Sequence, residues 1–94
     1  MSETKPLFRL GLLLATPGAV KALKAAQQDP FVLVNRHQSG DWGELVEADK
    51  KENEFSVKHG FRIMSRYRLS TGEVLWIITE WDRSATTLLL PGEY

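Results

Sequence analysis

Hydrophobic and other residues alternate through Leu7–Leu14 (LFRLGLLL). Phe8, Leu10, Leu12 and Leu14 fall on one side of an extended chain, and Leu7, Arg9, Gly11 and Leu13 on the other. That predicts a first strand. The period then lengthens. Thr16–Pro17 opens a helix, because the threonine hydroxyl caps free backbone donors and proline suits the first helical position. Val20, Leu23 and Gln27 are expected on its inward face, with Lys21 and Lys24 outside. Asp29–Pro30 repeats the signal and starts a second helix, Pro30–Gln38, running inward through Phe31, Val34 and His37 and ending at Ser39–Gly40–Asp41. A third helix is expected from Glu44 to His59, where Leu45, Ala48, Glu52, Phe55 and His59 form a thin stripe. Gly60 supplies its left-handed stop.

After Gly60 the period shortens to two. Phe61, Ile63, Ser65, Tyr67 and Leu69 share one face of a strand, and Arg62, Met64, Arg66 and Arg68 share the other. Ser70–Glu73 is a turn, and Val74–Trp81 is apolar on both faces, as a central strand is. Asp82–Arg83–Ser84 turns the chain again into a last strand, Ala85–Leu90. The expected architecture is one α+β domain over residues 1–94: a strand, three helices, then a three-stranded antiparallel meander, with the helices packed on one face of the sheet. Phe8, Leu10, Leu12, Phe31, Phe55, Ile63, Trp76 and Ile78 are its expected core. Trp42, flanked by Gly40 and Gly43, is expected to anchor the helix connection.

Length and composition narrow the function. Ninety-four residues hold one core, about half of what a dinucleotide-binding fold needs. The absence of cysteine removes disulfides, thiol catalysis and cysteine-ligated metal. No apolar run approaches the ~20 residues of a membrane span. Leu10–Ala15, although preceded by Lys5 and Arg9, is too short for a secretory leader, so a cytoplasmic location is expected. Twelve basic and twelve acidic residues cancel, which disfavours binding DNA by bulk charge.

The local charge is less even. Residues 41–54 hold six acids and two lysines, a net of −4, whereas residues 55–72 hold Lys58, Arg62, Arg66 and Arg68 without an acid, a net of +4. Arg62, Arg66 and Arg68 share one face of their strand, and with Trp81 and Arg83 they make a candidate binding surface. Arg9 would join them if the first strand were a neighbour. His37, Asp41, Glu80 and Asp82 are the candidate catalytic set. An imidazole beside a carboxylate serves as base and orienter, and together the four offer ligands to a divalent ion. Their plainer roles are structural, with Asp41 capping the third helix and Asp82 closing a hairpin. Ser84 lacks the glycine-framed elbow and the positioned histidine of a serine nucleophile.

His37–Leu45 (HQSGDWGEL), Asn53, Gly60–Tyr67 (GFRIMSRY) and Trp76–Tyr94 (WIITEWDRSATTLLLPGEY) together resemble a group of small uncharacterised bacterial proteins found on chromosomes, plasmids and other mobile elements. Those proteins are variously labelled plasmid-related protein or type I restriction endonuclease subunit M. The resemblance spans residues 7–94 and implies a bacterial setting and a unit of this size. It carries no methyltransferase chemistry, because the glycine-rich cofactor loop and the catalytic tetrapeptide are missing from the chain. The leading expectation is a small cytoplasmic interaction module without catalysis or cofactor, working on a protein partner or on a second copy of itself. The alternatives are a metal-dependent hydrolase or nuclease built on His37, Asp41, Glu80 and Asp82, and a nucleic-acid binder built on the arginine face.

Overall fold

Both proline-led helices start where the sequence places them. The computed structural model describes residues 5–94, so the first four residues of the domain assignment lie outside the described residues. Helix α1 (Pro17–Ala26) is capped by Thr16, whose hydroxyl accepts from the Ala19 N–H at 3.1 Å. Helix α2 (Pro30–Gln38) is capped by Asp29, which accepts from the Phe31 N–H at 2.9 Å. Helix α3 (Glu47–His59) stops at Gly60, left-handed at φ 74°. It begins three residues later than the stripe predicts. The Glu44 N–H is already bonded to the Arg66 carbonyl at 2.7 Å, so the preceding segment lies along a strand instead of coiling.

Four strands form one mixed sheet: β1 (Leu12–Ala15), β2 (Ile63–Arg68), β3 (Val74–Thr79) and β4 (Ala85–Leu89), in the spatial order β1-β4-β3-β2. Strands β2, β3 and β4 make the expected antiparallel meander, and β1 adds to it in parallel beside β4. The first strand is shorter than Leu7–Leu14 because Gly11 sits at φ 66°, against the carbonyls of Arg83 and Ser84, and breaks the extension. Residues before it are tied to α2 instead. The Leu7 N–H donates to the Gln38 carbonyl at 2.9 Å, and the Gln38 amide donates to the Phe8 carbonyl at 2.8 Å. Strand β3 ends at Thr79, not Trp81, because Glu80 enters the turn and its carbonyl accepts from the Arg83 N–H.

Ile63, Ser65 and Tyr67 of β2, Leu75, Ile77 and Thr79 of β3, and Thr86 and Leu88 of β4 form one fully buried face. Ala19, Ala22, Leu23 and Ala26 of α1 and Leu33 and Val34 of α2 join Tyr67, Leu75, Ile77 and Leu88 of that face in the main core cluster. A second cluster joins Phe8, Trp42 and Ile63, with Leu10, Leu45 and Val57 packed against it. Trp42 is therefore the anchor its position suggests.

Helix α3 departs from the expectation that all helices cover one face, since it runs beside the free edge of β2. Asn53 there acts as a substitute strand neighbour, with its amide nitrogen donating to the Met64 carbonyl at 2.7 Å and its oxygen accepting from the Met64 N–H at 3.2 Å. Farther along that edge the Arg66 N–H donates to the Trp42 carbonyl at 3.1 Å, and Gly43 pairs with Arg66 as an isolated bridge. The β2 edge is thus sealed by hydrogen bonds.

Asn53 and Ser56 take the inward positions of α3, which leaves Phe55 exposed, contrary to the predicted stripe. The other expected core residues divide. Phe8, Ile63 and Ile78 are buried, Leu10 and Trp76 are half-buried, and Leu12 and Phe31 are exposed. On α1 the inward positions belong to alanines and Leu23, so Val20 and Gln27 also face outward. Among the described residues no helix is long and apolar enough to cross a membrane.

Candidate functional site

His37 comes from the last turn of α2 and is fully buried under the rings of Phe8 and Trp42, with centroids at 5.2 and 6.0 Å. Its Nδ1 lies 2.6 Å from the Ser65 hydroxyl and its Nε2 lies 2.9 Å from the Thr79 hydroxyl. Thr79 in turn lies 2.7 Å from the Thr86 hydroxyl, and Thr86 donates to the Leu10 carbonyl at 2.8 Å. A carbonyl only accepts and each hydroxyl has one proton, so the end of this chain sets every direction in it. Thr86 spends its proton on Leu10, so Thr79 donates to Thr86. His37 must then donate from Nε2 to Thr79, and Ser65 donates to Nδ1. Burial pushes the imidazole down to about 3, so it is neutral at physiological pH. The network bonds α2 to β2, β3, β4 and the segment before β1, all behind 0% exposed side chains.

The other three members of the catalytic set stand apart from that network. Asp41 makes a two-pronged ion pair with Arg36, at 2.6 and 3.3 Å, and that guanidinium holds its carboxyl below the usual range. Asp41 does not cap α3, whose first turn follows Val46. Asp82 closes the β3–β4 turn by accepting from the Ser84 N–H at 3.0 Å, and contacts with Ser84 lower its carboxyl. Glu80 stands half-buried at the start of the same turn. Among the described residues no three of His, Asp and Glu gather where they could hold a metal ion, so His37, Asp41, Glu80 and Asp82 do not form one centre.

The arginines are more constrained than their alternation suggests. Arg66 and Arg68 do project from the sheet face opposite the buried one, but both bond to Glu44, at 3.2 and 3.3 Å. Arg62 lies over the Tyr94 ring at 5.3 Å. Strand β1 pairs with β4 and not β2, so the neighbour relation that would bring Arg9 to this face is not formed. Arg83, with its backbone left-handed at φ 60°, turns inward. Its guanidinium donates to the carbonyls of Ser56, Phe61, Glu80 and Trp81 at 2.7–3.2 Å, pinning the end of α3 to the turn after β3. Trp81 remains 65% exposed at that junction. Phe55 and Phe61, also exposed, stack 5.8 Å apart nearby on the same clamped segment.

The sheet face that carries Arg66 and Arg68 also carries an apolar stretch, which their alternation along β2 did not show. Met64, Arg66, Val74, Trp76, Ile78, Thr87 and Leu89 line it, with Leu12 and Leu14 continuing it onto β1. None of these side chains belongs to either core cluster, yet Ile78 and Leu89 are buried and Met64, Arg66, Val74, Trp76 and Thr87 half-buried, and Tyr94 lies over Trp76 with ring centroids 5.8 Å apart. The Trp76 Nε1–H is buried without a hydrogen-bond partner. The signal was present in Val74–Thr79, which is apolar on both faces. The class this defines is an α+β domain of three α-helices and a four-stranded mixed sheet, with α1 and α2 packed on one of its sides. Comparison with protein-family models, with curated proteins and with solved structures finds no match to this chain.

Proposed function

We propose that this protein is a small interaction module that docks another protein through the open face of its sheet and performs no catalysis itself. We place it in the bacterial cytoplasm, in the mobile-element setting that the sequence resemblance implies. One observation carries the reading: on the side away from α1 and α2, β3 places the half-buried Val74 and Trp76 beside the buried Ile78, and an antiparallel sheet that faces only water there alternates to polar residues. Trp and Arg together are also what interface centres and their borders favour. Glu44 answers only one of the two charges of Arg66 and Arg68, so the face has an apolar centre and a positive border along β2. It suits a partner whose apolar surface is edged by carboxylates.

The nucleic-acid alternative loses support from the same geometry, because the arginines are already held by Glu44 and Tyr94 and the chain has no net charge to attract a polyanion. The hydrolase alternative has no gathered set of groups to act with. A photo-reactive side chain placed at Thr87, on the open face, and separately at Lys51, on the outside of α3, tests the proposal in cells of the host. A discrete adduct with another protein from position 87 and not from position 51 is the expected result. Equal labelling from both positions, or none from position 87, would overturn it.

A further inference from the structure

The two edges of the sheet are treated differently. Along β2 the outward backbone groups are taken up by Asn53, Trp42 and Glu44. Along β1 no described residue does this. The Leu12 and Thr16 N–H groups donate to the Ser84 and Leu88 carbonyls of β4's side, so by alternation the N–H and C=O groups of Leu13 and Ala15 point away from the sheet. The strand carries none of the devices that blunt an edge: no charge from Leu10 to Ala15, no proline and no bulge. Leu12, Leu13 and Leu14 are 64%, 37% and 45% exposed. Val20, also exposed, stands beside an apolar cleft of about 260 Å³ that Ala15, Leu23 and Pro30 help to line.

We infer that β1 is a self-pairing edge, and that two copies of this chain join antiparallel through it to form a continuous eight-stranded sheet. The occupant is a second copy because of how the edges close. Each chain has one open edge and one sealed edge. Pairing open to open across a two-fold axis satisfies both orphan edges at once and leaves only sealed β2 edges at the ends. The product stops at two. An uncharged strand also meets its own copy without like charges opposing across the pair. Leu12 and Leu14 would meet their counterparts on the open face, and Leu13, Val20 and the cleft theirs on the helical side. Those patches add apolar area to the main-chain pairing, as a specific interface requires. The inference does not rest on the open face having a protein partner.

Sedimentation of the full chain over about 1–100 µM tests it, the range in which a small interface dissociates. The wild type should sediment as a dimer at the upper end, with its Leu13 and Ala15 amides becoming protected from hydrogen exchange as concentration rises. Leu13→Pro deletes only an outward donor, which an edge strand tolerates. Leu12→Lys places a charge on the seam and serves if the proline variant fails to fold. Each should raise the dissociation constant at least ~100-fold while the circular dichroism of the monomer is unchanged. A wild type still monomeric at the top concentration overturns the inference, and so does a dimer that survives both changes. Val74→Lys, on the open face two strands from the seam, should leave the dimer intact. Dissociation by that variant alone would move self-association to the open face, whereas the cross-link from position 87 reports on the docking proposal separately.

Discussion

Lowering the pH from 7.5 to 5.0 should cost this protein about 2 kcal/mol of stability through His37 alone. The imidazole is buried, donates from Nε2 to Thr79 and accepts at Nδ1 from Ser65. A second ring proton would confront the Ser65 hydroxyl with a donor and place a charge among apolar rings. The native state therefore refuses a proton until about pH 3, while the unfolded chain accepts one near the ordinary value of 6.5. Below 6.5 the unfolded state binds more protons, so stability falls as pH falls, by about 1.4 kcal/mol per unit until the native group titrates. One and a half units, from 6.5 to 5.0, give the figure of about 2 kcal/mol.

Urea titrations of the wild type and of His37→Gln at the two pH values would measure it. The variant should be less stable at pH 7.5 by about 2–4 kcal/mol, since it cannot satisfy both hydroxyls, yet its loss between pH 7.5 and 5.0 should be smaller by about 2 kcal/mol. Carboxylates such as Asp41, Asp82 and Glu93, whose groups are held low in the native state, contribute equally to both proteins and cancel. If the variant does not fold, nitrogen-detected NMR of the wild-type ring answers the same question. It should remain neutral with the proton on Nε2 at pH 5.0. Identical pH dependence in the two proteins, or a His37 that titrates near 6.5 in the native state, would refute the reasoning.

Three further substitutions check separate parts of the fold by denaturant midpoint. Gly43→Ala places a Cβ on the Arg66 carbonyl and against the Tyr67 ring at a φ of 76°, so it should cost about 2–4 kcal/mol; a loss under ~0.5 would mean that the β2 edge is not sealed this way. Arg83→Ala removes a guanidinium shared by four carbonyls, of which those of Ser56 and Glu80 keep a backbone N–H, and should cost about 1–3 kcal/mol, with Arg83→Lys restoring only part, since a single ammonium cannot span them. Phe55→Ala removes an exposed ring stacked on Phe61 and should cost less than about 1 kcal/mol. A loss above ~3 would return Phe55 to the core and turn α3 around.

Local grammar was readable along the chain because it acts over a few residues. Thr16 and Asp29 cap helices whose prolines stand next to them, Gly60 ends α3, and the two-residue period of Ile63–Arg68 assigns its faces correctly. Trp42 between its glycines was legible as an anchor for a similar reason, since a large ring in a tight connection has few places to go except inward. The face of α3 was not legible. Its apolar stripe pointed to Phe55, but the helix meets the open edge of a strand, where unpaired backbone groups demand hydrogen bonds more than apolar area, and Asn53 answers them. The same holds for the candidate site. Asp41 and Asp82 pair with neighbours a few residues away, whereas the directions in the His37 network follow from a carbonyl at Leu10, and the work of Arg83 follows from carbonyls at Ser56 and Phe61. Periodicity reports which residues share a face. It cannot report which of two apolar faces receives a layer, or that β1 would lie parallel to β4 with its leucines at an unsealed edge, because both depend on partners brought together from opposite ends of the chain.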